Sequence, residues 1–326
     1  MKRFARIIAL VATLAGIPIA LIGIFVTQPG CAHNVPSIAT VDPALLRGHV
    51  QAVVSCHPRS YIHTDNLFRC AGYIGARLAA AGATVSTQRY TVLGRTYGNV
   101  IGRIGNFGSP LIVVGAHYDA CGDTPGADDN ASGVAGLLEL ADLVGQGGIT
   151  GDVELVAYCT EEPPFFATPD MGSAHHARSL REANVDVKLA IALEMIGCFS
   201  DEKKSQKYPA AILHLFYPNT GSFIGVVGRP EDRAHIQLVR DMMRGTTDLD
   251  VRSASIPRGV SGVDFSDHRS YWDVGYPAIM VTDTAFFRNP DYHGEGDTAD
   301  KLDYSRMSKV VVGVYEALKG ISATSN

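Results

Sequence analysis

The pattern of apolar and polar positions predicts alternating strands and helices along most of the chain. Over residues 84–104 the apolar positions alternate with polar ones, which is typical of two paired strands joined by a tight turn. Later apolar runs are short and nearly continuous, and the stretches between them have helical spacing. Strands that are apolar throughout are buried on both faces. We therefore predict an α/β fold whose mostly parallel central sheet has helices on both faces.

The predicted elements follow each other in regular order. Beyond the first strand pair, the predicted strands cover residues 111–116, 153–158, 189–194, 211–216, 223–227 and 276–282. The predicted helices cover residues 43–54, 66–81, 130–144, 171–183, 231–244 and 305–321. The stretch 200–209 is rich in charged residues, and the stretch 252–263 is rich in Ser, Gly and Pro. We interpret them as surface insertions that could shape a pocket.

Residues 1–33 differ from the rest of the chain. Basic residues precede an apolar stretch over residues 7–26, which is long enough to cross a bilayer. This charge pattern predicts a cytoplasmic N-terminus and an exported remainder. A retained signal anchor, a cleaved signal peptide and a lipoprotein signal at Cys31 are the alternatives. In the first case residues 7–26 contact the membrane, and in the second the protein is secreted or periplasmic. Residues 34–326 are expected to form a single domain outside the cytoplasm.

Composition narrows the possible partners. A net charge of −5 provides no basic surface for nucleic acid, so we expect no nucleic-acid partner. The apolar content of 46% is enough for a globular core. In an exported protein, cysteines can pair in the oxidising compartment. Cys56 and Cys70 are the pair that we expect to form a disulfide.

Acidic and imidazole side chains follow the predicted buried strands. His117 follows the first of them, Glu161 and Glu162 follow the second, and Glu194 ends the third. The carboxyl ends of parallel strands lie along one edge of a sheet, so these groups should converge. Adjacent carboxylates in such a place are unfavourable unless a cation or proton neutralises them. Imidazole nitrogen and carboxylate oxygen are ligands of zinc, and we predict a hydrolytic zinc site.

A pair of neighbouring aspartates lies between the first two of these strands. Two metal ions about 3.5–4 Å apart share a bridging ligand, and a carboxylate has two oxygens for that purpose. Asp128 is our candidate for the bridge, while Asp129 or Asn130 could cap the helix that follows. Asp119 lies two residues after His117 and could accept the second N–H of that imidazole.

The ordered set of motifs resembles the di-zinc aminopeptidase family. This family includes bacterial leucyl aminopeptidases, glutamate carboxypeptidases and, with one metal, glutaminyl cyclases. The resemblance extends over roughly residues 98–320 and includes Tyr292-His293 and the segment Phe265-Ser266-Asp267-His268. It implies a zinc-exopeptidase-like fold and a site with two divalent ions, Zn²⁺ by resemblance.

The resemblance also implies a role for each site residue. The implied metal ligands are His117 and Glu194 for one ion, Glu162 and His293 for the other, and Asp128 as the bridge. Glu161 would be the catalytic general base, and the Asp128–Asp129 peptide bond would be cis. The implied outer-shell or pocket residues are Asp119, Asp129, Asp267 and His268.

The implied function is an exported zinc-dependent exopeptidase. It would be an aminopeptidase that hydrolyses N-terminal residues from peptides with a free N-terminus, using a water activated by two metals. A glutaminyl-peptide cyclotransferase and a non-catalytic peptidase-like binding ectodomain are the alternatives. The continuation over residues 129–133 differs from the cyclases, and the filled ligand positions differ from binding relatives. The sequence departs from the family at residues 163–166, where Pro-Pro-Phe-Phe follows the glutamate pair.

Overall fold

A mixed sheet with helices on both faces forms the framework of the protein. The computed structural model describes residues 20–31, 35–106, 108 and 110–324. Within these residues the sheet has eight strands in the order β1-β2-β4-β3-β5-β8-β6-β7. The strands are β1 Thr84–Val92, β2 Arg95–Ile104, β3 Leu111–His117, β4 Asp152–Tyr158, β5 Val187–Glu194, β6 Phe223–Gly228, β7 Asp250–Ser255 and β8 Ala278–Thr282. The α-helices are α1 Pro43–Val54, α2 Thr64–Ala80, α3 Gly133–Gly145, α4 Gly172–Glu182, α5 Arg233–Met243, α6 His268–Asp273 and α7 Tyr304–Ala323.

The centre of the sheet is parallel and its outer parts are mixed. Strands β4, β3, β5 and β8 pair in parallel, as does the outer pair β6 and β7. Antiparallel pairing joins β1 to β2, β2 to β4 and β6 to β8. The predicted parallel sheet is therefore correct for the central strands, where the apolar runs are continuous. The antiparallel additions extend it on both sides.

Alternate side chains of the central strands enter two separate cores. Ile112 and Val114 belong to the larger core, which includes apolar residues of α1, α2, α3, α5 and α7. Leu111 and Val113 belong to the smaller core, together with residues of α4 and α6. Because successive strand side chains point to opposite faces, a fully apolar strand needs a helical layer on each side. This explains why β3 contains no polar residue before His117.

Three elements differ from the sequence prediction, one of which is the short helix α6, which was not predicted. Residues 211–216 were predicted as a strand, but Ala211–Leu215 forms a 3₁₀ helix. A short apolar run does not by itself distinguish a strand from a helix, and the run here is too short to decide. Strand β7 falls partly in the predicted insertion 252–263, because only alternate residues of this outer strand are buried and its apolar signal is weak.

The predicted N-terminal apolar segment lies mostly outside the described residues. Residues 1–19 and 32–34 are not described, whereas residues 20–27 are helical. Among the helices that the structure does describe, none has the length and apolar character required to cross a bilayer. The expected Cys56–Cys70 disulfide is not formed in the structure. Both residues are free, buried thiols, so the structure does not bear out this pairing.

Gly115, two residues before His117, provides a test of packing beneath the site. A Cβ atom there would lie 2.1 Å from the ring of Tyr158, which is buried and whose hydroxyl lies 2.6 Å from that of Tyr271. We expect Gly115→Ala to lower the free energy of unfolding by about 1–3 kcal/mol, as overpacking does. Urea denaturation of the variant and the parent measures this change.

Gly48→Ala is the matched control for that substitution. Gly48 lies within α1, and a Cβ atom there would meet nothing within 4 Å. Because glycine is unfavourable inside a helix, we expect this variant to raise the free energy of unfolding by about 0.5–1 kcal/mol. Equal effects of the two substitutions would contradict the close packing of Gly115 on Tyr158.

Candidate metal centre

The ends of three central strands bring the predicted acidic and imidazole groups together. His117 is the last residue of β3 and Glu194 the last residue of β5, while Glu161 and Glu162 follow β4. These strands are parallel and adjacent, so their carboxyl ends lie along one edge of the sheet. All four side chains are buried. The convergence expected from the sequence is therefore present in the structure.

Three carboxylates lie near the Nε2 atom of His117. This atom is 3.3 Å from Asp129 Oδ1 and 3.4 Å from Glu194 Oε2. Glu161 Oε2 is somewhat further away, at 3.8 Å. The first two carboxylates and the imidazole form one group of possible metal ligands.

The imidazole of His293 lies on the other side of Asp129. This histidine comes from the loop after β8, and its Nε2 is 3.2 Å from Asp129 Oδ2 and 3.2 Å from Glu162 Oε2. The two oxygens of a single carboxylate therefore face two different histidines. Each histidine also faces its own glutamate, Glu194 or Glu162. The arrangement consists of two ligand groups that share Asp129.

Asp129, and not the predicted Asp128, lies between the two histidines. Asp128 was the candidate, but its carboxylate accepts hydrogen bonds from the Gly197 N–H (3.0 Å) and from Asn289 Nδ2 (3.0 Å). The neighbouring Asp129, expected in an outer role, occupies the place between the histidines. The cis peptide bond is likewise at Asp129–Asn130 and not at Asp128–Asp129.

A kinked turn determines which of the two aspartates faces the histidines. Asp129 and Asn130 have non-helical backbone angles inside the π-helical turn Ala127–Ser132. The carboxylate of Asp297 fixes this turn by accepting from the N–H groups of Asp128 (2.9 Å) and Asp129 (3.1 Å). Because neighbouring side chains leave such a turn in different directions, the residue names alone did not reveal the orientation.

Asp119 fixes the glutamate pair in the same way. Its two oxygens accept from the N–H groups of Glu161 (3.2 Å) and Glu162 (3.1 Å). Its Oδ1 is also 3.5 Å from Nδ1 of His117. The predicted outer position of Asp119 agrees with this placement, and one side chain orients residues from β3 and from the loop after β4.

Asp267 and His268, the other predicted outer residues, lie at the start of α6. Both are buried. Burial raises the pKa of Asp267 to about 7. The charge of His117 opposes this rise, and that of Glu194 adds to it. His268 contacts the Val263 carbonyl at 2.8 Å through Nε2, and burial lowers its pKa to about 4. Asp267 therefore belongs to the acidic surroundings of the centre, whereas His268 is anchored to its own loop.

Several residues that orient the ligands were missed by the sequence analysis. Asn130 donates to the Leu193 carbonyl at 2.8 Å and accepts from the Met195 N–H at 3.0 Å, which ties the turn to the end of β5. Ser266 donates to Glu194 Oε2 at 2.7 Å. Asp297, in the loop after His293, accepts from the N–H groups of Asp128 and Asp129 and was likewise not predicted.

Buried Arg59 supports the loops on either side of His117. Its guanidinium donates to the carbonyls of Tyr118 (2.9 Å), Pro125 (2.8 Å) and Gly126 (2.9 Å). The chain just after His117 and the chain just before the kinked turn are thereby held by one side chain. No pattern around Arg59 in the sequence indicates this role, because its partners are backbone groups.

The acidic groups of the centre have strongly shifted proton affinities. Burial raises the pKa of Glu161 well above its usual range, raises that of Glu194, and raises that of Glu162 to about 8. Burial alone would also raise the pKa of Asp129, but the imidazoles of His117 and His293 hold it below its usual range. Asp129 is therefore the carboxylate that the two histidines keep ionised.

The imidazoles show the opposite balance. Burial alone would lower the pKa of His117, but Glu161 and Glu194 raise it well above its usual range. In the same way the pKa of His293 rises to about 12, with Asp129 as the largest raising influence. Protons or metal ions must supply the positive charge that this site requires.

The spacing of the donor atoms fits metal ions. A tetrahedral ion with ligands at about 2.0–2.2 Å separates its ligand atoms by about 3.3–3.6 Å. The separations of 3.2 to 3.4 Å around His117 and His293 are close to that length. Among the described residues, neither ring nitrogen of His117 forms a well-directed hydrogen bond, nor do Asp129 Oδ2 and Glu162 Oε1. The donor set therefore suits divalent ions such as zinc.

An apolar cavity opens beside Glu194. Its lining includes Phe223, Met280 and Phe286, with residues 207–209 and 261–263 from the two predicted insertions. Phe286 contacts Tyr292, which stacks on His293 with ring centroids 3.8 Å apart. The insertions thus do contribute to a pocket next to the acidic centre.

The Pro-Pro-Phe-Phe segment contributes in two ways. Phe165 is buried in the larger core against Tyr61, with ring centroids 5.4 Å apart. Phe166 packs on Phe265, which lines the cavity, at 5.6 Å. Only the second phenylalanine therefore acts next to the pocket.

Comparison with known proteins identifies the family. The chain is 48% identical over 270 residues to YfbL, an uncharacterised protein of Escherichia coli, which covers 80% of this chain and 83% of that one. It is 28% identical over 214 residues to a probable leucine aminopeptidase of Arthroderma otae, which covers 62% of this chain and 52% of that protein.

Solved structures share the fold at low sequence identity. The LapA aminopeptidase of Legionella pneumophila has a TM-score of 0.69 at 21% identity, covering 87% of this chain and 73% of that one. A glutaminyl cyclase of Bacteroides thetaiotaomicron has a TM-score of 0.66 at 19% identity, covering 89% of this chain and 100% of that one.

Residues 99–317, which include all the ligand candidates, match the family model described as peptidase family M28. The chain therefore belongs to peptidase family M28.

Proposed function

We propose that the chain is a zinc-dependent aminopeptidase with two divalent ions in one centre. The observation that carries this proposal is the position of Asp129, whose two oxygens face two histidines at 3.3 and 3.2 Å. A carboxylate shared in this way is the arrangement that a pair of ions requires. His117 and Glu194 would hold one ion, and Glu162 and His293 the other.

Glu161 is the candidate general base. Its carboxylate lies within 3.8 Å of His117 and its backbone N–H is held by Asp119, so the side chain is kept beside the ligands. When bound, the ions would polarise the scissile carbonyl and increase the acidity of the attacking water. Glu161 would take one proton from that water and deliver it to the amine that leaves when the peptide C–N bond breaks.

The surroundings of the centre support removal of the first residue of a peptide. The apolar cavity beside Glu194 suits an apolar side chain. The buried carboxylates would attract the positive α-amino group that only the first residue carries. The proposed substrates are therefore peptides with a free N-terminus and an apolar first residue. Placement outside the cytoplasm, suggested by the sequence of residues 1–33, belongs to the same proposal.

Substitution of the two neighbouring aspartates tests the bridge. We expect Asp129→Asn to reduce the zinc content from about two ions per chain to one or none, because an amide replaces the shared carboxylate. The Asp128 carboxylate accepts hydrogen bonds from the Gly197 N–H and from Asn289 Nδ2 and contacts neither histidine. Asp128→Asn should therefore keep both ions. Atomic emission on desalted protein measures the content, and equal losses in both variants would refute the assignment.

Zinc affinity should rise with pH. In the ion-free protein the pKa is about 8 for Glu162 and about 12 for His293, so both groups hold protons at pH 7. These protons must leave when the groups become ligands. Each displaced proton changes the apparent binding constant by about tenfold per pH unit. Calorimetry should show that zinc binding releases protons near pH 7 and that zinc binds more weakly at a pH about one unit lower. A pH-independent affinity would contradict this linkage.

Removal of the proposed base tests hydrolysis itself. We expect Glu161→Gln to keep its zinc and to lower kcat by about 10²–10⁴-fold, because the amide cannot accept the proton. Release of leucine from a leucyl peptide measures the rate, and the N-acetylated peptide should not be cleaved.

Glu182→Gln is the matched control, because Glu182 is exposed at the end of α4. Its rate should equal that of the parent. A peptide with N-terminal glutamine distinguishes the cyclase alternative, since cyclisation releases ammonia without peptide cleavage. Ammonia release with no leucine release, or parental turnover in zinc-loaded Glu161→Gln, would overturn the proposed function.

A further inference from the structure

A short segment before the catalytic domain is bound in a groove between α5 and β7. The segment covers residues 27–30, and we call this segment together with Arg240 and Ser253 the N-terminal seat. Arg240 is only 2% exposed, and its Nη1 donates to the carbonyls of Thr27 (3.2 Å) and Gln28. Ser253 donates to the Thr27 carbonyl at 2.8 Å. Arg240 of α5 and Ser253 of β7 thus both donate to the Thr27 carbonyl, and Arg240 also binds that of Gln28.

The side chain of Gln28 is also part of the seat. It is 1% exposed, and its Nε2 donates to the Arg233 carbonyl at 3.1 Å. A buried glutamine and a buried arginine are unfavourable unless their polar groups find partners. Removal of residues 27–30 would take backbone partners from Arg240 and leave Ser253 without its Thr27 contact. The segment therefore supplies hydrogen-bond acceptors to two side chains of the domain, Arg240 and Ser253.

Two glycines allow the close approach that the seat requires. A Cβ atom at Gly30 would lie 2.2 Å from Nη2 of Arg240, and one at Gly23 would lie 2.3 Å from the ring of Phe216. Larger residues at these positions would push the segment away from the domain. The sequence of the segment therefore matches the surface on which it lies.

An exposed apolar face adjoins the seat. In the helical residues 20–27, four apolar side chains are 43% to 60% exposed: Leu21, Ile22, Ile24 and Phe25. These four side chains line one shallow depression together with Arg233. Neighbouring exposed apolar residues of this kind mark a contact surface.

The sequence of the chain indicates what covers this face. The apolar run that ends at Val26 begins at residue 7 and is preceded by Lys2, Arg3 and Arg6. A run of this length preceded by basic residues matches a lipid bilayer, with the positive charges at the cytoplasmic headgroups. The exposed residues 21–25 are the last part of that run, so the face is continuous with a segment that suits lipid.

We propose that residues 20–30 remain in the mature protein and that the apolar face formed by Leu21, Ile22, Ile24 and Phe25 rests on a lipid bilayer. The seat then holds the domain directly at the membrane surface, with no free linker between the apolar run and the fold. The proposal does not depend on the peptidase activity.

The N-terminus of the mature protein is the first test. The full chain is expressed in a bacterial host, extracted from the membrane fraction and measured by intact mass spectrometry. We expect every detected chain to contain residues 20–30. A mature N-terminus anywhere from residue 21 to residue 31, including a lipid-modified Cys31, would overturn the proposal, as would recovery of the protein only in the soluble fraction.

Contact with lipid is the second test. A benzoylphenylalanine replaces Phe25 in the full chain, and illuminated membranes are analysed for lipid adducts by mass spectrometry. Leu93 is the matched control, because it is 75% exposed at the turn between β1 and β2, on the opposite edge of the sheet from β7. We expect at least tenfold more lipid adduct from position 25 than from position 93. Equal yields, or protein adducts alone at position 25, would overturn the membrane contact.

Discussion

The architecture of the centre depends on like charges that are kept together away from water. Within the described residues, six buried carboxylates surround two imidazoles at one edge of the sheet: Asp119, Asp129, Glu161, Glu162, Glu194 and Asp267. Dehydration and mutual repulsion oppose this arrangement, so it needs protons or cations to be stable. Burial raises the pKa of Glu161, Glu162 and Glu194, which is the direction expected where ionised carboxylates are unfavourable. Metal ions would supply the positive charge in a fixed geometry.

The surrounding hydrogen bonds hold backbone as much as side chains. Asp119 and Asp297 each use two oxygens to bind two successive N–H groups, one next to the glutamate pair and one at the kinked turn. Asn130 connects that turn to the end of β5. Because backbone positions are fixed, Asp129 and the glutamates keep their places despite the repulsion between them. Outer residues of this kind determine ligand geometry in metal sites.

The sequence was sufficient where a single physical rule decides the structure. Continuous apolar runs require burial on both faces, and this rule predicted β3, β4 and β5 and the convergence of His117 with the glutamates. It was not sufficient for Asp128 and Asp129, since the choice depends on a kink that Asp297 stabilises from 168 residues away. Strand β7 and the helix Ala211–Leu215 also depend on neighbours that a local pattern does not contain. The orienting roles of Arg59 and Ser266 are invisible for the same reason.

The substrate cavity and the N-terminal seat share part of their walls. Tyr217 and Ser253 line both the apolar cavity and the groove that holds residues 27–30. The Tyr217 hydroxyl donates to the Ser253 carbonyl at 2.6 Å, and the Ser253 hydroxyl donates to the Thr27 carbonyl at 2.8 Å. Ser253 therefore contacts the bound segment and also lines the cavity. Since packed interiors transmit displacements between neighbours, loss of the segment would alter the cavity wall as well as expose Arg240. The bound segment over residues 27–30 and the wall of the apolar cavity are thus parts of the same structure.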